Sequence, residues 1–189
     1  NNRVLRVAAA GGAQTVLGFG FIVSGRGLAV DGAGTVYLSD DFDNTVVGLP
    51  VGGQPSDAFL VNFLYLDHPS GLAVDERGDV LVADTAKDRV IKVASGAGAV
   101  GDVGFTGLQT PTDVAVDAAG NVFVVDSNGD RVVKLPAGGG PQVVWTTGLN
   151  APLGIAVDSA GDVFVADTNN NRIVRIPAAG GTPTVVPFT

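Results

Sequence analysis

The sequence contains no cysteine and no methionine, and only one histidine and one tryptophan in 189 residues. Without cysteine there are no disulfides and no thiolate metal ligands, and a single imidazole cannot build a histidine-rich zinc site. The acids are eighteen Asp and one Glu, and the bases are eight Arg and three Lys. Glu, Lys and Met favour helices whereas Asp serves turns and strand ends, so this composition argues against a helical fold. Positive charge is scarce, and the net charge is −8. That excludes a sequence-independent hold on nucleic-acid phosphates or on anionic lipid, both of which need clustered Lys and Arg. Apolar runs stop at about five residues, far short of the roughly 20 that a membrane-spanning helix requires, and no signal-type run is visible. Direct membrane insertion is not expected.

What the chain has instead is glycine (28 residues), proline (10) and a hydrophobic content of 46%, which suit short strands joined by tight turns. It also repeats itself. GLAVDGAGTVYLSD at 27–40, GLAVDERGDVLVAD at 71–84, DVAVDAAGNVFVVD at 113–126 and GIAVDSAGDVFVAD at 154–167 align without gaps. Their aspartates Asp31, Asp75, Asp117 and Asp158 advance by 44, 42 and 41 residues. A second series, Arg3, Thr45, Arg89, Arg131 and Arg172, advances by 42, 44, 42 and 41. Two independent series in step define a repeat of about 42 residues.

Each repeat offers four strands. A short run such as Leu72-Ala73-Val74 is followed, after a turn ending in Gly78, by Val80-Leu81-Val82-Ala83; Arg89 to Val93 supplies the third strand and a weaker segment such as 142–145 the fourth. The second strand is apolar at both alternations (Val122 and Val124, Phe123 and Val125), as in a strand buried on both faces. The third alternates with a charge at Lys92, Lys134 or Arg175 and so lies nearer solvent. A sheet this small cannot bury its faces alone, so copies must stack, and four strands per repeat of this period describe the blade of a β-propeller. The expected fold class is all-β.

The pattern P-x-G-[IL]-A-V-D-x-x-G-x-V-x-V-x-D-x-x-x-x-R-[IV]-V-[KR] runs from Pro152 to Arg175 and, nearly as well, from Pro69 to Lys92. It resembles the NHL repeat. The inter-blade segments 105–108 and 184–189 resemble those of the extracellular sensor domains of mycobacterial receptor-type serine/threonine kinases, which are six-bladed. The resemblance implies an NHL-type propeller with four-stranded antiparallel blades: a half blade at 1–23 and full blades at 24–67, 68–109, 110–150 and 151–189, about four and a half of six. On this expectation the single domain is incomplete and is closed by further blades or by another copy of the chain. A bare blade face of about 400 Å² would forgo about 10 kcal/mol at roughly 25 cal/mol per Å², as much as the whole stability of a typical domain.

The recurring Asp84/Arg89, Asp126/Arg131 and Asp167/Arg172 pairs join the end of the second strand to the start of the third, where a guanidinium can lock the hairpin. Their presence once per blade favours structure over catalysis. Blade one departs, since Asp40 faces Thr45. The Asp31 series precedes x-x-Gly and is expected to cap the turn; calcium is the sharper alternative, with Asp40-Asp41-Phe42-Asp43 the densest cluster, but no repeat gathers enough acids and no metal site is assigned. His68 stands in the segment leading into an innermost strand, as Ser24, Thr110 and Ala151 do in the other blades. No catalytic residue and no cofactor emerge. The candidate binding surface is the loop rim: Asp40, Asp41, Phe42, Asp43 and Asn44, then His68, Lys87 and Asp88, then Asn128 and Asp130, then Asn169 and Asn170. A fixed frame with variable loops suits recognition.

The expected function is therefore non-enzymatic binding of a peptide, protein or glycan, outside or at the surface of a bacterial cell, as a receptor-kinase sensor or a secreted NHL-repeat protein. A propeller lyase or lactonase fragment is the alternative, and a scaffold without ligand is a third.

Overall fold

The computed structural model describes residues 3–187 except Ala10, Phe21 and Ala97. The first two residues of the expected half blade and the last two of the 184–189 segment lie outside the described residues.

Two short strands, β1 (Val4–Arg6) and β2 (Thr15–Leu17), pair with one another, and four four-stranded sheets follow. Blade one comprises β3 (Gly25–Val30), β4 (Val36–Asp40), β5 (Thr45–Leu49) and β6 (Phe59–Leu60). Blade two comprises β7 (Pro69–Val74), β8 (Val80–Asp84), β9 (Arg89–Val93) and β10 (Val100–Asp102). Blade three comprises β11 (Pro111–Val116), β12 (Val122–Asp126), β13 (Arg131–Leu135) and β14 (Val143–Thr146). Blade four comprises β15 (Gly154–Val157), β16 (Val163–Asp167), β17 (Arg172–Ile176) and β18 (Thr184–Val186). Strands in every blade pair antiparallel in chain order, and β3, β7, β11 and β15 lie side by side around the axis. This is a β-propeller arrangement of nearly all-β structure.

The doubly apolar second strand follows from this stacking. Val80 and Val82 of β8 join Tyr37 and Val46 of blade one in one core, while Leu81 of the same strand joins Val124 and Val133 of blade three in the next. The alternation repeats one blade on: Phe123 and Val125 of β12 pack with Val163, Val165 and Ile176 of blade four. A fourth core lies between the β1–β2 sheet and blade one, around Phe19, Leu38 and Leu49 with Val4 and Leu17. Each of these four cores is thus an inter-blade interface. Beside that fourth core, a cleft of about 960 Å³ opens between the β1–β2 sheet and blade one, and Leu5, Val16, Leu28 and Val30 line it while remaining 40–60% exposed.

The turns are closed by the aspartates that recur in the sequence. Asp31 accepts the N–H groups of Ala33 and Thr35 at 2.9 and 2.8 Å, and Asp75 and Asp158 accept the equivalent pairs. These are Asx turns, in which a carboxylate substitutes for a backbone carbonyl. Burial alone would raise the Asp31 carboxyl, but hydrogen bonds from Thr35, Tyr37 and Ala33 hold it below its ordinary value.

Candidate functional site

Antiparallel pairing puts the segment leading into a blade on the same rim as the loop between its second and third strands. At that rim the terminal aspartate of the second strand is fully buried and holds both together. Asp126 accepts Arg131 Nε at 2.7 Å and the N–H of Gln109 at 2.5 Å, while Arg131 Nη2 donates to the Gly107 carbonyl at 2.6 Å. Asp84 does the same with Arg89 and the Asp67 N–H, and Asp167 with Arg172 and the Asn150 N–H. Asp40, which faces Thr45, accepts four backbone N–H groups instead: Val23, Ser24, Phe42 and Asp43. The loop of blade one folds over its carboxylate where the other blades place a guanidinium.

A further clasp joins each blade to the next. Asn44, Asp88 and Asp130 adopt left-handed backbone conformations, with φ of 55°, 52° and 50°. Their side chains accept the N–H of His68, Thr110 and Ala151 at 2.7, 2.7 and 2.8 Å. The acceptors of these bonds, Oδ1 in each case, are therefore engaged by the frame. The residues they capture are also left-handed (φ 51°, 63° and 44°), a conformation costing a non-glycine residue about 1–3 kcal/mol and retained only where the surroundings enforce it.

Other rim side chains are also engaged. Asn128 donates to Thr110 Oγ1, Asn169 to Asn150 Oδ1 and Asn170 to Asp167, while Lys87 donates to the Tyr65 carbonyl. Asp41 pairs with Arg26 Nε at 2.6 Å. Burial would raise the Asp41 carboxyl, but hydrogen bonds from Ser24 and Arg26 and the nearby positive charge hold it below the usual range. Beside the exposed Asp43 and His68, large hydrophobic side chains project from the rim. Phe42, at the tip of the β4–β5 loop, is 69% exposed, and Tyr65, in the segment leading into blade two, is 83% exposed beside half-exposed Leu64. The Asn44–His68 hydrogen bond ties these two loops to each other. Tyr65 and Leu64 stand where the segments leading into blades three and four have Gly107 and Gly148, and Thr106 and Thr147; Tyr65 shares the left-handed conformation of the two glycines (φ 56°, 66° and 77°), so the signal was a tyrosine in a column of glycines.

The axis carries the other unassigned group. Position for position, the inner strands present Gly27, Gly71, Asp113 and Gly154. Inner strands approach so closely that a Cβ on Gly27 would stand 2.9 Å from Gly71 Cα, and one on Gly71 would collide with the Asp113 side chain. Asp113 occupies that space. Its oxygens accept the N–H of Val114 and, across to blade four, of Ile155, each at 2.9 Å. Burial pushes its carboxyl up to about 6 although both hydrogen bonds act the other way. The signal was available in the alignment, as the one carboxylate in a column of glycines.

Two further pairs brace the opposite ends of the hairpins: Lys92 with Asp79 at 2.8 Å and Arg175 Nε with Asp162 at 2.8 Å. In blade three Asn121 replaces the acid, and Lys134 instead lies 4.3 Å from the centroid of the Trp145 ring. Among the described residues, no three His, Cys, Asp or Glu side chains stand close enough to share a metal ion. Among the described residues no helix is long and apolar enough to cross a membrane.

The repeat geometry is matched by sequence. The NHL repeat family matches residues 66–92 and 149–176. These two stretches are NHL repeats. Among curated proteins, no sequence matches the chain. Solved structures share the fold: nidogen in its complex with laminin (18% identity, 96% of this chain and 71% of that one, TM-score 0.84), a streptogramin B lyase (20%, 87% and 55%, 0.74) and a gluconolactonase-like propeller (19%, 87% and 63%, 0.71). The chain spans just over half the length of that lyase. At these identities the likeness is one of fold.

Proposed function

We propose that this NHL-repeat propeller is a non-enzymatic binding module whose partner, a peptide or protein, docks on the rim between blades one and two. The carrying observation is the exposed trio Phe42, Leu64 and Tyr65, held on two loops that a hydrogen bond joins. Rigidly presented aromatics are the side chains that most often dominate binding energy, because they bury much area at little entropic cost. The likeness of the inter-blade segments to receptor-kinase sensors supports placing the module outside a bacterial cell, in a receptor or a secreted NHL-repeat protein closed by further blades. The lyase and lactonase among the structural neighbours supply the competing reading, in which additional blades would contribute the catalytic groups.

Peptides selected from a random library on the wild-type protein, then measured against Phe42→Ser and Tyr65→Ser, test the proposal. Each substitution should weaken binding at least about tenfold, equivalent to about 1.4 kcal/mol, while leaving the unfolding midpoint in place. Equal binding by the doubly substituted protein refutes it.

A further inference from the structure

The inner strands of all four blades enclose a groove of about 380 Å³ on the axis, lined among others by Arg26, Ser70, Thr112, Asp113, Leu153 and Ile155. Its two charged residues are unlike. Arg26 is already neutralised by Asp41 at the rim. Asp113 has no cationic partner among the described residues: its hydrogen bonds come from two backbone N–H groups, leaving acceptor capacity on both oxygens. The frame does not demand a carboxylate there, because the three other blades close the same position with glycine.

We propose that the axial groove is a binding site for an alkylammonium group, a primary amine on an aliphatic stem, whose head docks on Asp113. A carboxylate withdrawn from water gains more from an incoming cation than an exposed one does, and the raised Asp113 carboxyl is in keeping with that poor solvation. The Ser70 and Thr112 hydroxyls in the same groove supply further acceptors for an ammonium, which carries three donors and accepts nothing. Leu28, Leu153 and Ile155 provide an apolar wall for the stem. A hard metal ion fits less well, since calcium takes six to eight oxygen ligands and a single carboxylate faces this groove. The same chemistry is offered by a free amine or by the lysine side chain of a docking protein.

Calorimetric titration with n-butylammonium and with Nα-acetyl-lysine methylamide tests the site in the wild type, Asp113→Asn and Asp113→Gly, the last carrying the residue that the other blades tolerate. Wild type should bind with a dissociation constant of about 1 mM or tighter, at least tenfold tighter than either variant, and affinity should fall as Asp113 protonates below about pH 6. Binding of both probes assigns the site to free amines as well as lysine; binding of the lysine derivative alone assigns it to a protein partner. Phe42→Ser should bind both probes as the wild type does, which separates this site from the rim. No binding by the wild type, undiminished binding by Asp113→Gly, or displacement of the amine by stoichiometric calcium overturns the proposal.

Discussion

Replacing Arg172 by alanine probes the device that recurs at every Asp–Arg hairpin. Asp167 is fully inaccessible to solvent and accepts Arg172 Nε at 2.6 Å, the Asn150 N–H at 2.7 Å and Asn170 Nδ2 at 2.9 Å. Burial alone would raise its carboxyl, but the hydrogen bonds from Asn170, Asn150 and Arg172 and the guanidinium charge more than reverse that and hold it below 3.8. Breaking a buried pair from one side costs about 3–5 kcal/mol. The Arg172 side chain is 36% exposed, and solvent screening places the loss at the lower end, about 3 kcal/mol. The sign of the pH dependence follows. A depressed folded-state value means that the wild-type contribution is complete above the unfolded value of about 3.9 and is lost as pH falls through the folded one. The difference between wild type and Arg172→Ala should therefore be about 3 kcal/mol at pH 7. It should shrink as pH falls through the depressed folded value, toward about 1 kcal/mol for the ordinary hydrogen bonding and packing that remain once the acid is protonated in both proteins. Urea unfolding at a series of pH values measures it. A difference that stays constant from pH 7 to pH 2 would refute the assignment of Asp167 as a buried anion neutralised by Arg172.

Three other outcomes follow from named contacts. Phe123→Ala removes a ring that is 1% exposed in the core shared by blades three and four, and denaturant unfolding should show a loss of about 3–5 kcal/mol; the single tryptophan, whose ring lies 5.8 Å from Phe123, should report it as altered fluorescence in the native baseline. Gly71→Ala forces a methyl group into Asp113 and should cost at least about 1–3 kcal/mol; adding Asp113→Gly should recover part of that loss, whereas strictly additive effects would contradict the close approach of β7 and β11. Asp113 itself should make stability fall as pH rises from about 4 to 6, because its folded value of about 6 lies above the unfolded one; the drop saturates near 3 kcal/mol, and Asp113→Gly should abolish this slope in urea titrations.

The architecture is legible in the sequence because stacking imposes itself twice on each repeat. The second strand must satisfy a neighbour on either side, so both of its alternations are apolar, and in blades two, three and four the hairpin is closed by an acid and a base five residues apart. Those constraints are local and periodic, hence visible. The rim is harder to read for a physical reason. Asn44, Asp88 and Asp130 look like solvent-facing ligands in a loop, yet their partners are backbone N–H groups in the next blade, 24, 22 and 21 residues away, and no side-chain pattern encodes a backbone donor. The Lys92–Asp79 and Arg175–Asp162 pairs, 13 residues apart, were encoded by an acid after the turn glycine but needed the strand register to be seen.

What separates a frame residue from a candidate functional one in such a repeat is departure from its own column. Asp40 departs by lacking its Arg, and the structure answers with four backbone donors, so the departure is locally compensated. Asp113 departs by adding a charge where three blades have none, and no cationic side chain among the described residues answers it. A buried charge without a counter-charge reduces stability, as its raised carboxyl records, while a locally compensated one need not. In a fold whose repeats already offer glycine as a stable solution at this position, that cost calls for a compensating interaction, and the groove that Asp113 lines is open to a cation.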